Sequence, residues 1–241
     1  FIHGVMNTDN MAISGETIDY GPCAFMDQYD PKTVFSSIDS YGRYSFANQP
    51  PITKWNLARF AECLIPLIDN DQNKAIKIAT ETINNFEKIY QVKWLNMMRD
   101  KLGLFGEDKS DKILINDLLD WMEKNKADYT NTFCHLMDIK TINNEIYNDK
   151  GYIDWSNKWK KRILMNNSSK EKSLKIMRNS NPIIIPRNHK VEEALKAAEE
   201  NNIDVMNKLL SILTKSYENH KNIEDFQSPS NIKEYQTFCG T

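Results

Sequence analysis

The feature that most constrains the fold is a run of apolar residues with helical spacing in the middle of the chain. From Trp55 onward, apolar side chains recur at steps of three and four residues, which places them on one face of an α-helix. The longest predicted helix has an apolar face of Ile76, Ala79, Ile83, Phe86, Tyr90 and Met97, and we expect Phe86, Tyr90 and Trp94 to be core residues. The preceding predicted helix carries Trp55, Ala58, Leu64 and Leu67. Further helices are predicted near 111–125, 127–140, 154–165, 170–178, 190–200 and 203–216, so the protein should be mainly α-helical.

The first 50 residues follow a different pattern. Apolar residues on both sides of Ser14-Gly15-Glu16 predict a short β-hairpin with Gly15 in the tight turn. A loop is predicted from about Asp19 to Pro51, interrupted by several prolines. We therefore divide the chain into a loop-and-hairpin region at 1–50, a helical region at 51–224 and a loosely attached tail at 225–241 that contains Cys239.

Composition and charge exclude several classes of protein. The chain has 31 Lys and Arg against 33 Asp and Glu, so no overall positive charge attracts nucleic acid. No apolar run approaches the ~20 residues that span a bilayer, and no signal peptide precedes the first motif. We expect a cytoplasmic protein without a membrane or nucleic-acid partner. The cysteines form no C-x-x-C pair of the kind a structural zinc site uses, since they stand at Cys23, Cys63, Cys134 and Cys239.

The opening HGVMNTDN follows the register of a protein-kinase catalytic loop with one exchange. In that loop a His is followed by the catalytic Asp two positions later, by a metal-binding Asn seven positions later, and then by a separate Asp-Phe-Gly. Here His3 is followed by Val5 and Asn10 at those offsets, and Asp19-Tyr20-Gly21 comes after the predicted hairpin. The metal-binding positions are therefore kept, whereas the position of the catalytic base holds valine.

The residues that remain still suit phosphate chemistry. Mg²⁺ prefers a few oxygen ligands together with nucleotide phosphates, so we predict Asn10 and Asp19 as its protein ligands. Asp9 is the predicted catalytic residue, because a neighbouring carboxylate within ~2.6–3.2 Å of a substrate hydroxyl can accept its proton.

Structural alternatives stay open for most of these positions. Asp9 can instead be a turn residue whose side chain binds local N–H groups. His3 is better explained as a structural histidine than as a catalytic group. Arg187 is expected to form an ion pair in the core. Three further residues either support the site loop or serve packing, namely Arg43, Tyr44 and Asn48.

The stretch HGVMNTDNM…DYGP resembles the signature of the selenoprotein O family, kinase-like proteins that transfer AMP to protein hydroxyls. The resemblance continues through YGRYSFANQPPITKWNLARFAECL, DYTNTF at 128–133 and NSNPIIIPRNHKVEEAL at 179–195, and into the C-terminal Cys. It implies the C-terminal lobe of a protein-kinase-like fold with additional helices. It assigns Asp9 as proton acceptor, Asn10 and Asp19 as ligands of Mg²⁺ or Mn²⁺, and Asp19 as a residue close to the nucleotide. The implied partners are ATP, bound so that its α-phosphate meets the acceptor, and proteins with Ser, Thr or Tyr hydroxyls.

Two departures from the family pattern shape the expectations. The family's nucleotide-clamping lysine and phosphate-binding arginines precede the signature, so we expect this chain to be the C-terminal portion of a longer protein and to be inactive alone. Some members pair a loop Cys with the C-terminal Cys as a redox switch, but Phe35 stands at that loop position here, and a pairing of Cys23 with Cys239 needs suitable geometry. An ordinary kinase-like phosphotransferase and a non-catalytic helical scaffold are the alternative functions.

Overall fold

The structure, a computed structural model, describes residues 1–139, 141, 144–165, 169–219, 223–230 and 235–238. Helices dominate these residues, and the β-structure in them is limited to isolated bridges. The prediction of a mainly helical protein is confirmed. The α-helices there are α1 Gln49–Ile68, α2 Gln72–Lys101, α3 Asp111–Asn125, α4 Tyr129–Leu136, α5 Lys150–Ile163, α6 Lys170–Ser180, α7 Asn188–Glu199, α8 Asp204–Leu213 and α9 Glu224–Gln227. Short 3₁₀ turns lie at Thr8–Asn10, Phe46–Asn48 and Asn144–Asn148.

Helix α1 begins earlier than the sequence predicted. The expected loop ran to Pro51, but the helix begins at Gln49 and includes Pro50 and Pro51 in its first turn. Proline is tolerated there, because the first N–H groups of a helix have no partner within it. The two prolines therefore initiate α1 instead of ending the loop before it.

The predicted β-hairpin is not confirmed as a pair of strands. Met11 and Thr17 form a single antiparallel bridge, and Gly15 closes the turn with φ +76° and an N–H bond to the Ala12 carbonyl of 3.0 Å. The arm formed by residues 11–17 leaves Ile13 86% exposed, so this apolar side chain does not pack against a surface that would stabilise longer pairing. The turn prediction holds, whereas the strands on either side do not form.

The described residues divide into two compact units, and the boundary falls within α2, between Trp94 and Leu95. Unit 1 comprises Phe1–Ala24, Pro31–Trp94 and the described residues from Gln236 onward. Unit 2 comprises Phe25–Asp30 and the described residues from Leu95 to Tyr235. This division differs from the three sequence regions, because the opening loop, α1 and the end of the chain share one unit. None of the helices in the described ranges is long and apolar enough to cross a bilayer.

In unit 1 the buried face of α2 differs from the predicted one. Ala79 is buried as predicted, but Ala75 is buried in place of Ile76, which is 45% exposed. The three aromatic residues expected in the core, Phe86, Tyr90 and Trp94, are only half-buried. In the part of α2 that belongs to unit 2, Met98 is buried while the adjacent Met97 is 47% exposed. The predicted helical spacing was therefore correct, but at each end of α2 the buried residue is the neighbour of the predicted one.

Unit 2 is held by buried charge clusters within its helical core. Asp111 is fully buried and binds Arg99 Nε at 2.7 Å and Arg162 Nε at 2.6 Å. The predicted ion pair of Arg187 is confirmed: its guanidinium binds the carboxylates of Asp27 and Asp128. Buried charges of this kind require such partners, because an unpaired ion in the interior is costly.

The tail is not loosely attached where it is described. Phe226 and Gln227 are buried in unit 2, and the Gln227 carbonyl accepts a bond from Arg187 Nη2 at 2.8 Å. Thr237 is 6% exposed in unit 1. Cys239, and with it the question of its pairing with Cys23, lies outside the described residues.

Candidate functional site

The site is built on the first extended residues of unit 1. Ile2 pairs with Ala24 through two backbone hydrogen bonds of 2.9 and 3.0 Å. Gly4, at φ +93°, lies so close to Pro22 that a Cβ atom there would stand 2.4 Å from the Pro22 carbonyl oxygen. Only glycine combines this backbone conformation with so close an approach. The HG of the opening motif and the end of D-Y-G-P are thereby packed directly against each other.

The T-D-N residues form the 3₁₀ turn Thr8–Asn10, which is closed by a bond of 3.2 Å from Asn10 N–H to the Asn7 carbonyl. Asn10 Nδ2 donates to the Val5 carbonyl at 3.1 Å, so its amide oxygen is directed away from Val5. Asp9 is exposed, and within the described ranges its carboxylate has no hydrogen bond or ion pair. The alternative of Asp9 as a side-chain turn residue therefore gains no support from the contacts.

The D-Y-G residues form a second turn. Asp19 is exposed, and its Oδ1 accepts the Gly21 N–H at 2.7 Å, while the Cys23 N–H bonds to the Tyr20 carbonyl at 3.2 Å. The first bond engages one carboxylate oxygen, and Oδ2 remains available to accept a hydrogen bond or contact a cation. Pro22, at the end of this turn, is buried.

The bridge between Met11 and Thr17 connects the two turns. Asn10 directly precedes the bridge and Asp19 follows it by two residues, so both side chains start from the base of one short arm. An amide oxygen and a carboxylate oxygen are donors that suit Mg²⁺, which takes one or two protein ligands and completes its octahedron with phosphates and water. Within the described residues no three His, Cys, Asp or Glu side chains converge as a metal site, so a cation here would depend on a pair of this kind.

Val5 and His3 serve the structure of the loop. Val5 is 7% exposed, and its N–H donates to His3 Nδ1 at 3.4 Å. Burial lowers the pKa of His3, an effect that the negative charge of Asp19 opposes, so the imidazole is neutral at pH 7. The position where a kinase has its base thus points into the core, which explains why an apolar residue fits there.

Two amide residues of α1 anchor the loop, and the sequence analysis missed both. Gln49 Oε1 accepts the His3 N–H at 3.1 Å, and Gln49 Nε2 donates to the Phe1 carbonyl at the same distance. Asn56, 5% exposed, donates through Nδ2 to the Met6 carbonyl at 2.8 Å. They are seven residues apart and therefore lie on one face of α1. The sequence signal that could have indicated them is the presence of two amide residues seven positions apart on the helix face that also carries Ile52.

The other highlighted residues of unit 1 serve packing. The Arg43 guanidinium lies 4.8 Å from the centre of the Trp55 ring, and Asp39 accepts the N–H groups of Arg43 and Tyr44 at 2.8 Å each. The Asn48 side chain donates to the Arg43 carbonyl. These contacts stabilise the turn before α1.

A cleft of about 420 Å³ opens beside the T-D-N turn. Its walls come from that turn, from the arm after it and from α1, and include Thr8, Ile13, Leu57 and Phe60. The apolar side chains among them suit an apolar group. Thr8 places one edge of the cleft next to the exposed Asp9.

Comparison with known proteins identifies the family. The model of the family described as protein adenylyltransferase SelO matches residues 1–214. The protein nucleotidyltransferase YdiU of Pelagibacter ubique is 58% identical over 243 residues, and those of Nitrosococcus oceani and Clostridium beijerinckii are 51% and 52% identical over 244 and 243 residues. The chain belongs to the protein adenylyltransferase SelO family. Each match covers 100% of this chain and 50% of the relative, so the chain spans about half the length of the curated relatives it matches.

Proposed function

We propose that this chain forms the catalytic-loop half of a protein adenylyltransferase, with the C-terminal lobe of a protein-kinase-like fold. The enzyme transfers AMP from ATP to Ser, Thr or Tyr hydroxyls of proteins and releases pyrophosphate. The observation that carries the proposal is the family match over residues 1–214, a range that includes the exposed, unpaired Asp9 in the first of the two turns that carry the proposed metal ligands. The names of the relatives support nucleotidyl transfer over phosphoryl transfer.

The proposed chemistry uses three side chains. Asp9 accepts the proton of the acceptor hydroxyl, whose oxygen forms a bond to the α-phosphorus of ATP while the bond from that phosphorus to the pyrophosphate oxygen breaks. Asn10 and Asp19 would hold a divalent cation, Mg²⁺ or Mn²⁺, and Asp19 would also contribute to nucleotide binding. When bound, the cation neutralises charge on the phosphates. Transfer of this kind depends mainly on positioning and charge stabilisation, which is compatible with a base at residue 9 instead of residue 5.

Activity requires the rest of the protein under this proposal. The chain spans about half the length of its curated relatives, and the family resemblance assigns the nucleotide-binding lysine and arginines to the part before the signature, so transfer should need both halves.

The test is label transfer by the full-length protein that contains this chain. With Mg²⁺ and a protein acceptor, α-³²P-ATP should label protein and γ-³²P-ATP should not. Asp9→Ala and Asp19→Ala should each lower label transfer by orders of magnitude, because one removes the proton acceptor and the other a metal ligand. Asp100→Ala is the matched control, since Asp100 is an exposed carboxylate on α2.

Each alternative function predicts a different label pattern. Label from γ-³²P-ATP alone would establish a kinase-like phosphotransferase, and no label with either nucleotide would favour a non-catalytic scaffold. If the Asp9→Ala protein transfers label as well as the wild type does, Asp9 is not the proton acceptor.

A further inference from the structure

The end of the described chain returns to the site loop of unit 1 as a short extended segment, residues 236–238, which we call the C-terminal latch. Thr237 pairs with Ser36 in a parallel bridge. Its N–H donates to the Phe35 carbonyl at 2.7 Å, and its carbonyl accepts the Ser37 N–H at 3.0 Å. Thr237 and Ser36 are both nearly fully buried. The latch is therefore an ordered part of the loop that follows D-Y-G-P.

The side chain of Thr237 makes a second connection. Its Oγ1 donates to the Pro22 carbonyl at 2.9 Å in a buried hydrogen bond across 215 positions of sequence. The same carbonyl oxygen is the atom that Gly4 approaches from the opening motif. The end of the D-Y-G-P turn is thus held between the catalytic loop and the latch.

The Pro22 carbonyl is close along the chain to Asp19, the proposed metal ligand, and the backbone between them is constrained by hydrogen bonds. Asp19 is three residues before Pro22, and two bonds fix the turn between them: Gly21 N–H to Asp19 Oδ1 and Cys23 N–H to the Tyr20 carbonyl. A rotation of the peptide after Pro22 would move the Cys23 N–H and loosen that turn. The exposed Asp19 carboxylate has few contacts of its own, so its direction depends on the backbone that carries it.

We infer that Thr237 is a positioning residue: its hydroxyl, through the Pro22 carbonyl, orients Asp19 for the divalent cation and makes the end of the chain part of the catalytic site. The inference rests on the proposed function in both effects: on Asp19 as a cation ligand for the effect on cation binding, and on AMP transfer for the effect on catalysis. The backbone pairing of the latch can form with any side chain at position 237. The bond to the Pro22 carbonyl, in contrast, requires a hydroxyl on the β-carbon, which Thr237 has.

The test compares Thr237→Val, which keeps the shape and removes the hydroxyl, with Thr237→Ser, which keeps the hydroxyl. Each is made in the full-length protein, and Mn²⁺ affinity is measured by electron paramagnetic resonance in the presence of α,β-methylene-ATP, which is not cleaved at the α-phosphorus. Thr237→Val should weaken Mn²⁺ binding about fivefold, the factor that one net buried hydrogen bond is worth, and should lower kcat while leaving KM for the protein acceptor unchanged. Thr237→Ser should restore both values. Hydrogen exchange should be faster in the Val variant in peptides that cover 19–24.

Thr82→Val is the matched control, because Thr82 also donates its hydroxyl to a backbone carbonyl, that of Ile78, but on the exposed surface of α2. It should bind Mn²⁺ as the wild type does. A chain ended after Tyr235 lacks the whole latch and should weaken Mn²⁺ binding at least as much as Thr237→Val, which tests the inference even if valine is poorly accommodated.

Wild-type Mn²⁺ affinity in Thr237→Val, or equal losses in the Val and Ser variants, would overturn the inference. So would a lower melting temperature with unchanged Mn²⁺ affinity, since that result would make Thr237 only structural. The proposed function can fail separately: a wild-type protein that transfers no α-label would refute it, while the Mn²⁺ comparison would still decide the role of Thr237.

Discussion

Replacing Arg187 with methionine should destabilise unit 2 more than any surface substitution. Arg187 is 1% exposed, and its two terminal nitrogens bind Asp27, Asp128, Asn131 and the Gln227 carbonyl. Methionine fills much of the same volume, but it leaves the Asp27 and Asp128 carboxylates without their cation. Loss of one partner of a buried ion pair typically costs about 3–5 kcal/mol, and we expect a loss of unfolding free energy in that range.

The assay is urea unfolding followed by tryptophan fluorescence, to which Trp121, Trp155 and Trp159 contribute from unit 2. The cost should be lower at pH 5 than at pH 8. Burial raises the pKa of Asp128, and without the guanidinium this pKa rises further, so protonation at lower pH removes the uncompensated charge. Arg187→Met combined with Asp128→Asn should likewise recover part of the loss.

The control is Lys158→Met, which removes an exposed ion pair of 3.2 Å to Asp117 and should cost at most about 0.5 kcal/mol. If Arg187→Met costs no more than this control, the cluster does not hold unit 2 together. A cost that stays the same between pH 5 and pH 8 would refute the assignment to unpaired carboxylates.

Three further substitutions test backbone strain and a buried amine. Gly4→Ala should cost about 2–3 kcal/mol, because its Cβ would meet the Pro22 carbonyl at a positive φ, whereas Gly15→Ala, in open space, should cost about 1 kcal/mol; equal losses in thermal unfolding would contradict this. Burial lowers the pKa of Lys101 from 10.5 to about 8, so the unfolded chain binds one more proton between these values and this residue's contribution to stability rises with pH. Lys101→Met should therefore be more stable than the wild type below pH 8, and this advantage should shrink by about 3 kcal/mol at pH 10.5; a difference that is independent of pH would refute the explanation.

Helix positions followed from the sequence more readily than the faces they bury. The prediction of 111–125 coincides with α3, because apolar spacing and a short polar segment before Asp111 mark the same limits. On α2, adjacent apolar rows are equally consistent with the spacing, and the choice is made by what packs against the helix. The small side chains of Ala75 and Ala79 are buried there, and the larger Ile76 faces solvent. The hairpin failed for a related reason, since local turn preference does not supply a surface for strands to pack on.

At the site, too, residues in a short motif were predicted from the sequence, whereas residues that act through contacts distant in sequence were not. The offsets from His3 were enough to select Asn10 and Asp19, and the structure adds that both belong to turns connected by one bridge. Their roles as ligands, and that of Asp9 as base, stay predictions. Gln49, Asn56 and Thr237 were not predicted as part of the site, because their partners are backbone atoms between 46 and 215 positions away, which no short motif encodes.

The amide anchors of α1 have a consequence for how such a loop can evolve. Gln49 and Asn56 recognise the His3 N–H and the Met6 carbonyl, groups that are the same whichever side chains the neighbouring residues carry. These two contacts therefore remain when the side chains at positions 3 and 6 are exchanged, whereas Gly4 is fixed by its close approach to Pro22. A loop held in this way can carry valine where a kinase has its catalytic acid, and an acid at a nearby position, without a change in its backbone path.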